Sequence, residues 1–214
     1  MLDKSIEFRN IIMRIEVDKL LAVNESILPE GFSFSFFSGT ENIKDWCRIE
    51  TSVFEFTSEE DAQDYYTKAY VPYINELKNR CLFVTNQENI PIATATAWFA
   101  DSELGYQACL HWVAVCPEYQ GIGIGKTIVK KALKLLCNLE PDCAVWLHTQ
   151  TWSYVAIGLY HKLGFNLLKM DTLANMNTRS GNVKIYQNDY LEALEVLKHV
   201  MDERHIIELM DTAV

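Results

Sequence analysis

Residues 113–126 read V-A-V-C-P-E-Y-Q-G-I-G-I-G-K, joining an apolar strand, a proline and three glycines to a helical pattern. The apolar run 110–115 reads as a buried strand. Pro117 ends it, because proline has no N–H for a sheet ladder. Gly121, Gly123 and Gly125 then let the backbone turn tightly and expose several N–H groups where a helix begins. A helix start is partly positive and carries unpaired donors, so the chemistry on offer is the holding of a phosphate. Lys126 adds a positive side chain at the same place.

The spacing separates three glycine-loop patterns. A nucleotide P-loop ends as Gly125-Lys126-Thr127 does, but Gln120 stands where its first glycine belongs. A dinucleotide loop counted from Gly121 places its last glycine on Lys126. The pattern [QR]-x-x-G-x-[GA] is met in full by Gln120, Gly123 and Gly125. That pattern is the acetyl-CoA signature of the GNAT N-acetyltransferases, and the preceding V-A-V-x-P-x-Y-Q is similar to that family's lead-in. The resemblance implies acetyl-CoA as the acyl carrier, with CoA as product. It would be held by Val113, Ala114, Val115, Gln120, Gly121, Ile122, Gly123, Ile124, Gly125 and Lys126.

A second stretch carries the same resemblance. Residues 153–165 read S-Y-V-A-I-G-L-Y-H-K-L-G-F, close to the family's N-x-x-A-x-x-x-Y-x-x-x-G-F. Ala156, Leu159, Tyr160 and Leu163 fall at helical spacing on one expected face, and Gly164 is placed as a C-terminal cap. Ser153 stands where the family commonly has Asn, so one side-chain contact to the pantetheine arm is shortened or lost.

Acetyl transfer from a thioester to an amine needs a held carrier, a deprotonated amine and a stabilised leaving thiolate. An alkylamine with a pKa near ~10 is almost wholly protonated at neutral pH and has no lone pair to attack with. A base is required. His111, in L-H-W-V, is the first candidate, since an unperturbed imidazole titrates near ~6.5. A similar L-H-x-x-A-V strand occurs in aralkylamine N-acetyltransferases. Glu50 is the alternative, on a helix where the family shapes its acceptor site; a core histidine and a solvated glutamate are the competing structural roles. The resemblance places Tyr160 near the CoA sulfur, where a phenol can protonate the departing thiolate. It also implies an oxyanion-stabilising N–H in the 113–115 segment. His148 and Gln150, between Trp146 and Trp152, read either as ligand contacts at a strand end or as a polar turn beside core tryptophans.

The elements needed to position these groups can be read along the chain. Residues 11–17 and 32–37 are apolar segments with Pro29-Glu30-Gly31 between them as a turn, and the second reads as a strand with one buried face. Helices are expected over 41–54 and 58–78; Ser58 and Asp61 resemble a capping box, and Pro72 should kink or break the second helix. Residues 81–85 and 92–99 should pair as a hairpin around 86–89, with 106–115 continuing the meander. An amphipathic helix over 126–139 leads to a strand at 144–149, expected to be parallel to its partner. The tail 188–210 reads as helical and amphipathic, with Leu191, Leu194, Leu197 and Met201 on one side, packing on its own sheet in preference to a second subunit.

At 214 residues and 49% hydrophobic content, one α/β domain is expected, with a mixed, twisted, mostly antiparallel sheet and helices on both faces. The resemblance implies a GNAT core from Phe32 to about Met170. A net charge of −10 argues against nonspecific nucleic-acid binding. The six cysteines show no metal-site spacing and most read as buried free thiols of a cytoplasmic protein, with a redox or catalytic cysteine as the alternative; no metal site, secretory signal or membrane span is expected. Trp46, Glu50, Phe54, Tyr65 and Tyr66 suit a cation with an apolar body; a small-molecule amine is the expected acceptor, with aminoglycoside, amino acid and protein terminus left open, as are monomer and homodimer. The expected activity is acetyl-CoA-dependent acetylation of a primary amine by direct attack in a ternary complex. The alternatives are a GNAT-like domain that binds CoA or a partner without turnover, and a P-loop-like nucleotide binder.

Overall fold

A computed structural model of the chain describes residues 2–102, 105–169, 172–173 and 186–214. In chain order the elements are β1 (Asn10–Ile15), α1 (Val17–Leu21), β2 (Ser33–Phe36), α2 (Glu41–Ser52), α3 (Glu59–Ala69), α4 (Ile74–Arg80), β3 (Cys81–Thr85), β4 (Pro91–Ser102) and β5 (Gly105–Val115). There follow α5 (Ile124–Leu139), β6 (Val145–Gln150), α6 (Tyr154–Lys162), β7 (Asn166–Leu167), β8 (Thr172–Leu173), β9 (Tyr186–Gln187), α7 (Tyr190–Leu197) and α8 (Glu203–Asp211). Met170, the expected end of the family core, lies outside the described residues.

Seven strands form one sheet in the order β2-β3-β4-β5-β6-β1-β7. It is mixed, mostly antiparallel and flanked by helices on both faces, as expected. The hairpin is present, with Leu82 opposite Ala95 and Phe83 opposite Thr94. β6 runs parallel to β5, pairing Val145 with Ala108 and Trp146 with Cys109, because α5 carries the chain across before it returns.

Packing divides the chain into two compact units: 24–98 with 110–139, and 2–23 with 99–109 and 140–214. In the first unit, α2 and α3 pack together through aromatic rings. Trp46 is fully buried, with Tyr66 at 4.9 Å and Trp112 at 5.3 Å between centroids. Ring pairs of this kind add about 0.5–1.5 kcal/mol each beyond the area they bury. Ser58 caps α3, its hydroxyl accepting from the Asp61 N–H at 3.1 Å. Pro72 does break the helical run, which becomes α3, a 3-10 turn at Val71–Tyr73 and α4.

In the second unit, β1 lies between β6 and β7. The tail is helical, in two pieces, α7 and α8, because Asp202 starts a new helix by accepting from the His205 N–H at 2.9 Å. Leu194 and Leu197 of the expected face are buried together with Ala193, while Leu191 is 70% exposed. α7 packs on its own unit's sheet, tied to β1 by Asn10 N–H to Asp189 Oδ2 at 2.9 Å. The buried positions of α6 are Ile157, Gly158 and Tyr160 rather than the stripe expected from 156, 159, 160 and 163. α6 also meets α8: a Cβ added at Gly158 would sit 3.0 Å from His205 Cε1.

Candidate active site

The first unit holds the glycine turn. β5 ends at Val115, the Cys116 N–H bonds to Ile92 O at 2.8 Å, and Pro117 opens a 3-10 turn. Gln120 folds back and donates from Nε2 to Val115 O at 2.8 Å, which ties the loop to the strand it leaves. Gly121 and Gly123 have φ of 81° and 92°. An L-residue in that region costs about 1–2 kcal/mol, so both positions need glycine for the backbone alone. Gly125 is different. It lies inside α5, has no positive φ, and an added Cβ would meet Val115 Cγ2 at an ordinary 3.6 Å. The first intrahelical bond runs from Thr127 N–H to Gly123 O at 3.1 Å, so the N–H groups of Ile124, Gly125 and Lys126 precede it. Lys126 is exposed beside them.

β5 contains a feature that nothing in the sequence signalled. Trp112 has φ of 47° in mid-strand, where neither glycine nor proline marks an irregularity. For a bulky side chain this backbone costs about 1–3 kcal/mol and persists only where surroundings enforce it. They do so here. Trp112 Nε1–H donates to the Tyr65 hydroxyl at 3.3 Å, Phe56 stacks on its ring at 5.3 Å, and Tyr65 meets it edge-on at 4.9 Å. The local turn falls immediately before Val113, Ala114 and Val115.

His111 precedes it and is 9% exposed. Its Nδ1 lies 3.1 Å from the hydroxyl of Tyr70, the residue that closes α3. Burial pushes the Tyr70 phenol's ionisation well above its usual range, and the nearby Tyr65, Tyr66, Cys81 and Glu50 add to this. The phenol is therefore a neutral hydrogen-bonding group.

Glu50, on α2, is 1% exposed, and its Oε1 has no hydrogen-bond partner among the described residues. Burial, reinforced by the charge of Glu55, raises its carboxyl well above the usual range. A carboxyl so placed favours its neutral form. Trp46 and Tyr66 are buried with it, Tyr65 is half-buried, and Phe54 is 51% exposed with φ of 70°.

The second unit holds Tyr160, on α6 and 7% exposed, with the Phe165 ring at 5.9 Å. Its turn is locked by the Gly164 cap. Gly164 has φ of 102°, its N–H bonds to His161 O at 2.9 Å, and the Phe165 N–H bonds to Tyr160 O at 3.1 Å. This pair of bonds is the Schellman arrangement. Ser153, which precedes α6, accepts from Gln150 Nε2 at 3.3 Å. His148 bonds through Nε2 to Asn10 Oδ1 at 3.0 Å, and burial lowers its pKa to about 4. Trp152 donates to Ile6 O at 2.8 Å. His148 and Trp152 thus anchor the N-terminal segment.

Cys47, Cys81, Cys109 and Cys116 are buried free thiols, while Cys137 and Cys143 are partly exposed. Among the described residues, no three His, Cys, Asp or Glu side chains gather as a metal set. No described helix is long and apolar enough to cross a membrane.

Residues 43–165 match the acetyltransferase (GNAT) family. The chain belongs to that family. A mycothiol acetyltransferase of Rothia mucilaginosa is 26% identical over 161 residues, covering 68% of this chain and 44% of that protein. Among solved structures, a GCN5-related N-acetyltransferase from Sphaerobacter thermophilus has a TM-score of 0.56 at 16% identity, covering 74% of this chain and 48% of that one. A GNAT acetyltransferase from Colwellia psychrerythraea has a TM-score of 0.55 at 14% identity, covering 78% and 55%. These two likenesses establish the GNAT fold. The chain thus spans about half, or less, of the length of such relatives.

Proposed function

We propose that this GNAT protein is an acetyl-CoA-dependent N-acyltransferase that acetylates a small primary amine by direct attack in a ternary complex. The open start of α5 carries the reading: the Thr127 N–H makes its first intrahelical bond, so the three N–H groups ahead of it are left as donors for a diphosphate. The N–H groups of Ile124, Gly125 and Lys126 and the Lys126 ammonium are suited to hold that diphosphate. Gln120, Gly121, Ile122 and Gly123 shape the turn.

The bound thioester supplies an activated acetyl group. Val113, Ala114 and Val115 follow the reversal at Trp112, and a backbone N–H of this segment stabilises the oxyanion, worth on the order of ~3 kcal/mol. His111 takes the proton of the acceptor amine. Glu50 is the weaker candidate for that task, because a buried carboxyl that favours its neutral form has little capacity to accept a proton. Tyr160 gives its phenolic proton to the departing sulfur, the role that the family assigns to this motif position. Ser153, engaged with Gln150, contributes a shorter contact than the family's Asn.

The test is release of free thiol from acetyl-CoA in the presence of a panel of primary amines. Amine-dependent release supports the reading. Intact acetyl-CoA binding with no release across the panel would favour a CoA-binding domain without turnover, and binding of ATP instead would favour the P-loop-like alternative.

A further inference from the structure

Two tyrosines of one helical segment hold two successive residues of β5. Tyr65 Oη accepts from Trp112 Nε1–H at 3.3 Å, and Tyr70 Oη lies 3.1 Å from His111 Nδ1. Tyr70 itself has little freedom. Its N–H bonds to Tyr66 O at 2.8 Å, and its ring packs against Trp98 at 4.9 Å, Tyr66 at 5.1 Å and Trp46 at 6.3 Å. At 1% exposure, its hydroxyl is shielded from water.

We propose that Tyr70 is a positioning residue for His111, its hydroxyl oxygen accepting the Nδ1–H so that the imidazole exchanges its proton at Nε2. The inference rests on the reading that His111 is the base. A neutral imidazole carries one hydrogen, on either nitrogen, and the bond made by one nitrogen selects the state of the other. The nitrogen facing Tyr70 is sealed against a phenol that stays neutral, so it cannot pass protons to a substrate. Uptake at Nε2 then requires the hydrogen to sit on Nδ1. Free imidazole side chains in water favour the opposite form, and the bond to Tyr70 reverses that preference. The Tyr65–Trp112 bond ties the next residue of the strand to the same helical segment.

The experiment is a long-range ¹H–¹⁵N spectrum of the imidazole nitrogens in the full chain, with His111 assigned by comparison with His111→Gln. The wild-type protein should show a protonated Nδ1 and a bare Nε2. Tyr70→Phe should move the hydrogen to Nε2 and lower kcat roughly 10- to 100-fold, with the KM for acetyl-CoA unchanged, the scale on which partners that orient a functional imidazole act. A bare Nδ1 in the wild-type protein overturns the proposal, as does a folded Tyr70→Phe that keeps the wild-type tautomer. The wild-type spectrum decides even if the variant folds poorly. A His111→Gln variant that keeps its kcat overturns the base assignment, whereas the spectrum judges the Tyr70 bond separately.

Discussion

The Tyr70 hydroxyl and His111 Nδ1, 41 positions apart in the chain, lie 3.1 Å from each other in a buried hydrogen bond. The bond joins the end of α3 to β5 just ahead of the irregularity at Trp112. α3 therefore does more than cover the sheet: it holds the strand residues to which the proposed chemistry assigns a base and an oxyanion donor. Disturbing α3 should reach that chemistry without touching it directly.

The cap of α3 offers such a disturbance. Ser58→Ala removes the acceptor of the Asp61 N–H, which should cost about 1 kcal/mol. For a chain of this length the expected fall in Tm is about 2–4 °C. A thermal melt that does not move would show that α3 is held without its cap.

Tyr160→Phe keeps the ring packed against Phe165 and deletes only the hydroxyl. If that hydroxyl protonates the departing sulfur, kcat should fall roughly 100-fold or more, the scale of general acid catalysis. Acetyl-CoA affinity should stay nearly constant. Steady-state kinetics alongside direct binding separate the two, and an unchanged kcat would remove the assignment.

Glu50 makes stability depend on pH with a definite sign. Its folded-state pKa lies well above the ordinary value, while in the unfolded chain it loses its proton near pH ~4.3. Above that pH the folded chain holds a proton that the unfolded chain has released, so rising pH favours unfolding until Glu50 itself ionises in the fold. Glu50→Gln cannot ionise. Its Tm relative to wild type should therefore climb from pH 4 to pH 8, and a gap that stays constant or narrows would contradict the burial of a neutral acid.

Much of the glycine turn was legible in the sequence, because its demands are local. Gln120, Gly121 and Gly123 act within a few residues of one another, through a side-chain bond to Val115 O and two positive φ angles. The same holds for Gly164, whose cap closes over the last turn of α6. Trp112 was invisible for the opposite reason. Its strained backbone is enforced by Tyr65, Phe56 and Trp46, all more than 45 positions away, and no residue type at 112 announces it. Spacing counts also failed where one helix has two neighbours. α6 buries Gly158 against His205 as well as presenting Tyr160, and the tail breaks at Asp202, whose capping side chain suits a start better than a continuation. His148 read either as a strand-end ligand contact or as part of a polar turn, and its bond to Asn10, distant in sequence, was not legible.

Calorimetric titration of acetyl-CoA into wild type and Lys126→Glu tests the central claim most directly. Lys126 is exposed at the start of α5, where an acidic side chain suits the helix dipole, so the variant should melt no lower than wild type. If the α5 start holds the diphosphate, the reversed charge should weaken acetyl-CoA binding by roughly 10-fold or more, as a loss of about 1.4 kcal/mol would give. A variant that is as stable as wild type and binds poorly is the predicted result. Equal affinity in the two proteins, or no binding by either, would contradict the assignment of this turn as the acetyl-CoA site.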